Sequence, residues 1–320
     1  MDVITATEQF PHFLREAKEI VWSEKPEFKN VLLWGIGDEA IVVNLAKRFL
    51  HHLPIFAVTD GSFPDFIRED TLVILISYGG NADAVNKAYE RAKIKNCPMF
   101  VLTAGGKLRE KCIKDNTPRV RVPGNLPTQA AFPYLFLPII NYFSRLGGQD
   151  IGPHVDKARE SLGHYKLAEK AKELAKGMQG KTPLIYATPA MMAIANRWKS
   201  QLNKHAKVHA FTASIPEFIS ADIEGFNEPS EKYYVLLMQD EQDTTQTKQM
   251  VTAIKTFIRE TGVDSTEIAV SGKSLIVRVL TALYLGDLLS LSLAKISGTD
   301  AISTPMRSKL HSELKWMSTN

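Results

Sequence analysis

"VILISYGGNADAV", residues 73–85, decides the fold. Apolar and β-branched residues run without alternation to Ser77, cross Tyr78-Gly79-Gly80-Asn81, and then turn polar and helix-like. A strand with no polar face is one covered on both sides, as in a parallel sheet packed between helices. A strand that opens through glycines into a helix is also the usual build of a phosphate cradle, because backbone N–H groups converge there beside a helix N-terminus.

The same unit recurs in both directions along the chain. Residues 30–37, 54–60, 98–106 and 119–124 read as further strands, with helices over 40–53 and 82–93 and an amphipathic lead-in helix over 6–22. Residues 132–140, "FPYLFLPII", carry two prolines and read as a buried segment. Lys-, Ala- and Glu-rich residues 153–180 read as one connecting helix, closed by Gly177 and Gly180. The pattern then restarts, with strands over 182–188, 208–214, 232–240 and 265–272 and helices over 189–206, 247–261 and 274–298. Strand and helix alternating at this pitch predicts an α/β protein of two doubly wound parallel-sheet domains, flavodoxin-like with three αβα layers. The expected division is 1–152 and 181–320, joined by 153–180, with long helices at the C-terminus. In such sheets ligands bind beyond the carboxyl ends of the strands, where strand order reverses. That singles out Gly35–Ala40, Ser77–Asp83 and the segment after Ser214.

The bulk numbers agree. A chain of 320 residues, 44% hydrophobic and 23% charged, suits two domains of roughly 150 residues each. The net charge of +4 is small and dispersed, so no nucleic-acid partner is expected. The densest basic run, Lys107 to Lys114, reads as a solvated helix face. Cys97 and Cys112 lack metal-ligand spacing, so no metal and no other cofactor is expected, and both read as reduced thiols of a cytoplasmic protein. The first residues lack the basic and apolar regions of a signal peptide. No window approaches the ~18 uninterrupted apolar residues of a membrane span.

Several stretches, taken in order, resemble the bifunctional phosphoglucose/phosphomannose isomerase family, built from two sugar-isomerase (SIS) domains. "GIGDEA" (35–40) stands where the family has G-M-G-G-S-G, and "SYGGNADA" (77–84) where it has S-Y-S-G-N-T-x-E. "TQAAFPYLF" (128–136) follows P-R-A-x-x-x-Y, and "RWKSQLNKHAK" (197–207) follows R-W-K-x-Q-L-N-E-N-A-K. "PEFISADIEG" (216–225) aligns without gaps to P-E-x-N-H-N-E-I-V-G, and Thr304-Pro305 to a late T-P.

The resemblance implies interconversion of aldose and ketose hexose 6-phosphates through an enediol, a small sugar-phosphate ligand, and a homodimer with part of the active site across the interface. It places the phosphate at Gly37, Glu39, Ser77, Gly79, Gly80, Asn81 and Ala82, and the catalytic positions at Asp222, Gln129 and Thr304. Several of these depart from the family. Glu39, Gly79 and Ala82 replace hydroxyl residues. Gln129 replaces an arginine that would balance the enediolate, and an amide is no counter-charge. Asp222 replaces a glutamate one methylene longer, and a base displaced by about 1 Å loses on the order of 10²-fold. Asp38 and Glu39 together would repel a phosphate dianion.

Glu217 and Glu224 are substitute carboxylates to examine, and so is His205, although a buried structural histidine is the commoner reading. No histidine lies in 233–245, where the resemblance expects the ring-opening residue. Three readings follow: an active isomerase, a non-catalytic sugar-phosphate-binding or regulatory protein, and a SIS enzyme with a changed substrate. The apolar helix over 275–296 serves either a dimer interface or the core of its own domain.

Overall fold

The computed structural model describes residues 1–228 and 231–319. Two parallel sheets organise the chain. The first contains β1 (Asn30–Trp34), β2 (Ile55–Val58), β3 (Thr71–Ile76), β4 (Met99–Thr103) and β5 (Arg119–Arg121), in the order β2-β1-β3-β4-β5. The second contains β6 (Thr182–Ala187), β7 (Phe211–Ser214), β8 (Tyr233–Asp240) and β9 (Asp264–Val270), in the order β7-β6-β8-β9. Strand order therefore reverses between β1 and β3 in one sheet and between β6 and β8 in the other.

All of β3 is buried, which is why its sequence does not alternate. Successive side chains on a strand still face opposite sides, and each face joins a different core. Leu72, Ile74 and Ile76 join an inner core, while Val73 and Leu75 join an outer one under the helices Asp83–Ile94 and Gly106–Lys114. On the second sheet Ile185 and Ala187 face the same inner core, and Tyr186 faces a separate outer cluster with Phe218 and Phe226. The two sheets thus share one inner helical layer.

The central helix of that layer is Leu275–Ile296. By length and composition alone it could cross a membrane, although Arg278 and Asp287 interrupt its apolar run, and 72% of its most apolar window is buried in the protein. It packs on Gly152–Leu162, Tyr165–Met178 and Met192–Gln201, so its apolar surface is covered within the chain. Gly286 is the seat for fully buried Trp198, whose indole N–H donates to the Ala282 carbonyl at 2.9 Å. A Cβ at Gly286 would overlap the indole ring. Gly286→Ala is therefore expected to cost about 1–3 kcal/mol by overpacking. Urea denaturation checks this, and an unchanged midpoint would mean that the ring has room to move.

Two elements differ from expectation and a third keeps the expected burial. The lead-in helix is two short helices, Val3–Glu8 and Phe10–Ala17, the second with Pro11 in its first turn, where proline breaks no hydrogen bond. Residues 153–180 form two helices, Gly152–Leu162 and Tyr165–Met178, parted at Gly163-His164. Residues 132–140 belong to the helix Phe132–Leu146 and are buried as anticipated, with Pro138 inside the helix.

A buried ionic latch crosses from one half to the other. Asp240, at the end of β8, is 1% exposed. It pairs with Arg48 of the helix Glu39–Phe49 and, at 2.8 Å, with Arg278 of the central helix.

Candidate functional site

The β1 and β3 loops meet at the first switch point. Gly37 takes a left-handed φ of +65°, which turns the chain into the helix Glu39–Phe49. The Ser77–Asn81 loop is clamped against residues 104–108. Ala104 N–H donates to the Tyr78 carbonyl at 2.9 Å, Leu108 N–H to the Gly80 carbonyl at 3.0 Å, and Lys107 N–H to Asn81 Oδ1 at 3.1 Å. Gly80 (φ +68°) lies so close to the Gly105 carbonyl that a side chain would collide with it.

Within this loop Ser77 Oγ accepts the Gly80 N–H at 3.3 Å. The Tyr78 N–H is already engaged, donating to Glu39 Oε1 at 2.8 Å. Burial holds the Glu39 carboxyl above the usual carboxylate range, against the pull of that N–H. Asp38 points elsewhere. Lys204 Nζ grips both of its carboxylate oxygens, at 2.5 and 2.7 Å. The two carboxylates therefore do not act together on a phosphate, as the sequence suggested. One is ion-paired and the other caps a loop amide.

Gln129 and His205 also meet, with Gln129 Nε2 3.2 Å from His205 Nε2. The tautomer follows from the hydrogen bonds. The Ser290 hydroxyl donates to the Asp287 carbonyl at 2.8 Å, so it accepts from His205 Nδ1 at 2.9 Å. Nδ1 carries the proton, and Nε2 accepts from the Gln129 amide. Behind them Arg197 donates to Asp287 at 2.7 and 3.3 Å and to the Gln129 carbonyl at 3.1 Å. Gln201 adds a hydrogen bond to Asp287 at 3.0 Å. Glu39, Gln129, Arg197 and Gln201 enclose about 10 Å³, room for about one water.

Burial pushes His205 from its ordinary 6.5 down to about 4, with Lys204, Arg197 and Lys207 adding to the shift and Asp287 opposing it. An unfolded chain protonates this histidine below about 6.5. The folded chain takes the proton only near 4. The unfolded state thus binds more protons in that interval, so stability is complete above the interval and is lost as pH falls through it. His205→Asn is expected to flatten the fall of the urea midpoint between these pH values. An unaltered slope would show that the imidazole is not held neutral.

Two open clefts flank this core. One, of about 560 Å³, is lined by Gly37, Asp38, Asn44, Lys199, Lys204 and Arg307 among others. The second, of about 270 Å³, is lined by Thr128, Gln129, Lys204, His205, Thr304 and Arg307 among others. Thr304 immediately precedes the helix Pro305–Thr319 and accepts the Ser308 N–H through its carbonyl.

Asp222 is not part of this assembly. It lies beside Tyr186, and burial first, then the Asp222 charge and hydrogen bond, raise the Tyr186 hydroxyl above its usual range. Tyr186 belongs to the outer core of the second sheet, so Asp222 and Gln129 sit on opposite sides of that sheet. Glu217 closes a capping box, its carboxylate accepting the Ser214 N–H at 3.1 Å. Glu224 is exposed.

The structure therefore gathers Gly37, Glu39, Ser77, Gly79, Gly80, Asn81 and Ala82 at one end of the first sheet. It brings Gln129, His205 and Thr304 to an adjoining cleft and leaves Asp222, Glu217 and Glu224 apart. Lys199, Lys204, Arg197, Asp287 and Arg307 were not singled out from sequence. The one local hint was the Lys204-His205 pair, which replaces Glu-Asn of the similar motif. Its partners Asp38 and Gln129 are departures too, so positions that differ from the motif contact one another in pairs.

Comparison with known proteins is consistent with this geometry. Residues 167–314 match the model of the bacterial phospho-glucose isomerase C-terminal SIS domain. A bifunctional phosphoglucose/phosphomannose isomerase from Aquifex aeolicus is 29% identical over 296 residues, covering 90% of this chain and 91% of the relative. A D-glucosamine-6-phosphate 4-epimerase from Sulfolobus acidocaldarius is 28% identical over 201 residues, 61% of this chain and 63% of the relative. Among solved structures, the C-terminal domain of a glucosamine-fructose-6-phosphate aminotransferase from Francisella tularensis superposes with a TM-score of 0.73, over 94% of this chain and 98% of that one. At 13% identity this is a likeness of fold alone.

Proposed function

Because the chain belongs to the bifunctional phosphoglucose/phosphomannose isomerase family, we propose that it binds a sugar phosphate at the first switch point and that a single chain does not isomerise it at an enzymatic rate. The observation that carries this reading is the place of Asp222. The residue at the position of the family base lies against Tyr186, across the second sheet from Gln129. The groups that do meet in the crevice are poor substitutes for a base. His205 is held neutral with both ring nitrogens engaged, Asp38 is ion-paired, and the Glu39 carboxylate is buried and caps the Tyr78 N–H. A general base needs hydrogen-bond reach to the proton it moves and a pKa near the working pH.

The test is a coupled assay on fructose 6-phosphate that follows both aldose products, beside a thermal-shift titration. The expected result is saturable binding with turnover below about 1 s⁻¹, the low end for enzymes, and no change in Asp222→Ala. Turnover above that value that disappears in Asp222→Ala would overturn the non-catalytic reading. It would imply a homodimer in which a second copy delivers the carboxylate.

A second reading is a SIS enzyme with a changed substrate. The paired departures Gln129–His205 and Asp38–Lys204 favour it, since residues altered together suit a rebuilt site. The epimerase relative suggests glucosamine 6-phosphate as the compound to try. Following it by proton NMR would show a new sugar spin system on this reading, and an unchanged spectrum otherwise.

A further inference from the structure

We propose that the phosphoryl group of the ligand is held not by the Ser77–Ala82 loop but by a cationic cleft walled by Lys199, Lys204 and Arg307. The inference rests on the sugar-phosphate reading and adds where the anion sits.

The loop is a poor phosphate site. Its Tyr78 N–H is taken by the Glu39 carboxylate. Ser77 and Tyr78 carry its hydroxyls, and the Tyr78 hydroxyl is engaged with Pro123 and Leu126. The Ser77 hydroxyl accepts the Gly80 N–H at 3.3 Å, so that amide is engaged as well. The 560 Å³ cleft has the opposite character. Three cations line it against one carboxylate, Asp38, which Lys204 already neutralises at 2.5 Å. Among the described residues neither Lys199 nor Arg307 has an ionic partner. Asn196 Oδ1 accepts the Thr212 hydroxyl at 2.8 Å, which leaves the Asn196 amide hydrogens free to donate. The helix Glu39–Phe49 also opens its N-terminus here through Gly37 and Asp38, and its dipole favours an anion. Charge-assisted hydrogen bonds from lysine and arginine are the stronger kind for phosphate.

The placement also suits the sugar. Lys204 and Arg307 form a wall common to this cleft and to the 270 Å³ cleft that holds Thr128, Gln129 and Thr304. A phosphate at the shared wall extends the attached sugar over those three polar side chains. The substrate class is thus a sugar phosphomonoester, with its anion read by side-chain cations and its hydroxyls by amide and hydroxyl groups.

Calorimetric titration tests this with glucose 6-phosphate, inorganic phosphate and glucose as separate probes. Wild type is set beside Lys199→Ala, Arg307→Ala, Arg307→Lys and Ser77→Ala. The first three variants alter partly or fully exposed side chains and leave the core intact. Lys199→Ala and Arg307→Ala are each expected to weaken glucose 6-phosphate binding about tenfold, with Arg307→Lys closer to wild type and Ser77→Ala within about twofold. A tenfold loss in Ser77→Ala with none in the two cation variants would overturn the inference while leaving the sugar-phosphate reading intact. Cation-dependent binding of inorganic phosphate without glucose 6-phosphate would sustain the cleft as an anion site and sink the sugar-phosphate reading. Failure of both anions to bind wild type would sink both, as would equal binding of uncharged glucose.

Discussion

Asp287→Ala is expected to lower the free energy of unfolding by about 3–5 kcal/mol, the usual cost of removing one partner from a buried ion pair. Arg197 and Asp287 are each 3% exposed. Asp287 accepts both Arg197 donors and the Gln201 amide. After truncation the guanidinium keeps one hydrogen bond, to the Gln129 carbonyl at 3.1 Å, and the face of the Phe132 ring at 5.3 Å. A charge stranded in a dry interior is far costlier than a lost hydrogen bond. The site should loosen as well, because Arg197 holds the backbone of Gln129 and Gln129 meets His205. Urea denaturation and a glucose 6-phosphate titration of the same variant read both effects. The double variant Arg197→Met/Asp287→Leu is expected to recover most of the stability, since an apolar pair of similar volume removes the stranded charge. A loss below about 1 kcal/mol in Asp287→Ala would show instead that water reaches the pair, as at exposed ion pairs.

Asp240→Ala should rank second, at roughly 3 kcal/mol. The carboxylate is 1% exposed and is shared by Arg48 and Arg278, so its removal leaves two guanidinium groups facing each other. The loss sits at the lower end of the range because Arg278 retains the Gly272 carbonyl at 3.0 Å and Glu241 at 3.7 Å. Arg48 is also partly exposed. A double-mutant cycle with Arg48→Ala separates the pair from the rest of the network. A coupling energy near zero would mean that the link between the halves is geometric only.

The central strands β1 and β3 were legible because each is a short apolar run that leads into a glycine turn, and burial on both faces explains why neither alternates. Their parallel order followed from the intervening helices. The helix break at Gly163-His164 was not legible, since the flanking residues are good helix formers on both sides. Nor were the partners of Arg278 and Asp287, which interrupt the apolar run of Leu275–Ile296 and pair with residues far away in sequence.

The site was legible as loops and not as contacts. Glycines marked the turns at Gly37 and Gly80 because left-handed backbone favours that residue. Asp38 and Lys204 are separated by 166 positions, and Gln129 and His205 by 76. No local pattern links residues so distant. For that reason Asp38 and Glu39 looked like a repulsive pair, when one is neutralised by a lysine and the other caps an amide.

The inner helical layer common to both sheets has a consequence for how the molecule comes apart. Ile74 and Phe100 of the first sheet and Ile185 and Leu236 of the second belong to one continuous cluster with Leu283 and Leu289. Neither sheet can shed its helices without uncovering the other. Heating should therefore give a single transition in which the calorimetric and van't Hoff enthalpies agree, as for a much smaller two-state protein. A chain cut between the two sheets would yield fragments that aggregate apart and regain structure only when mixed.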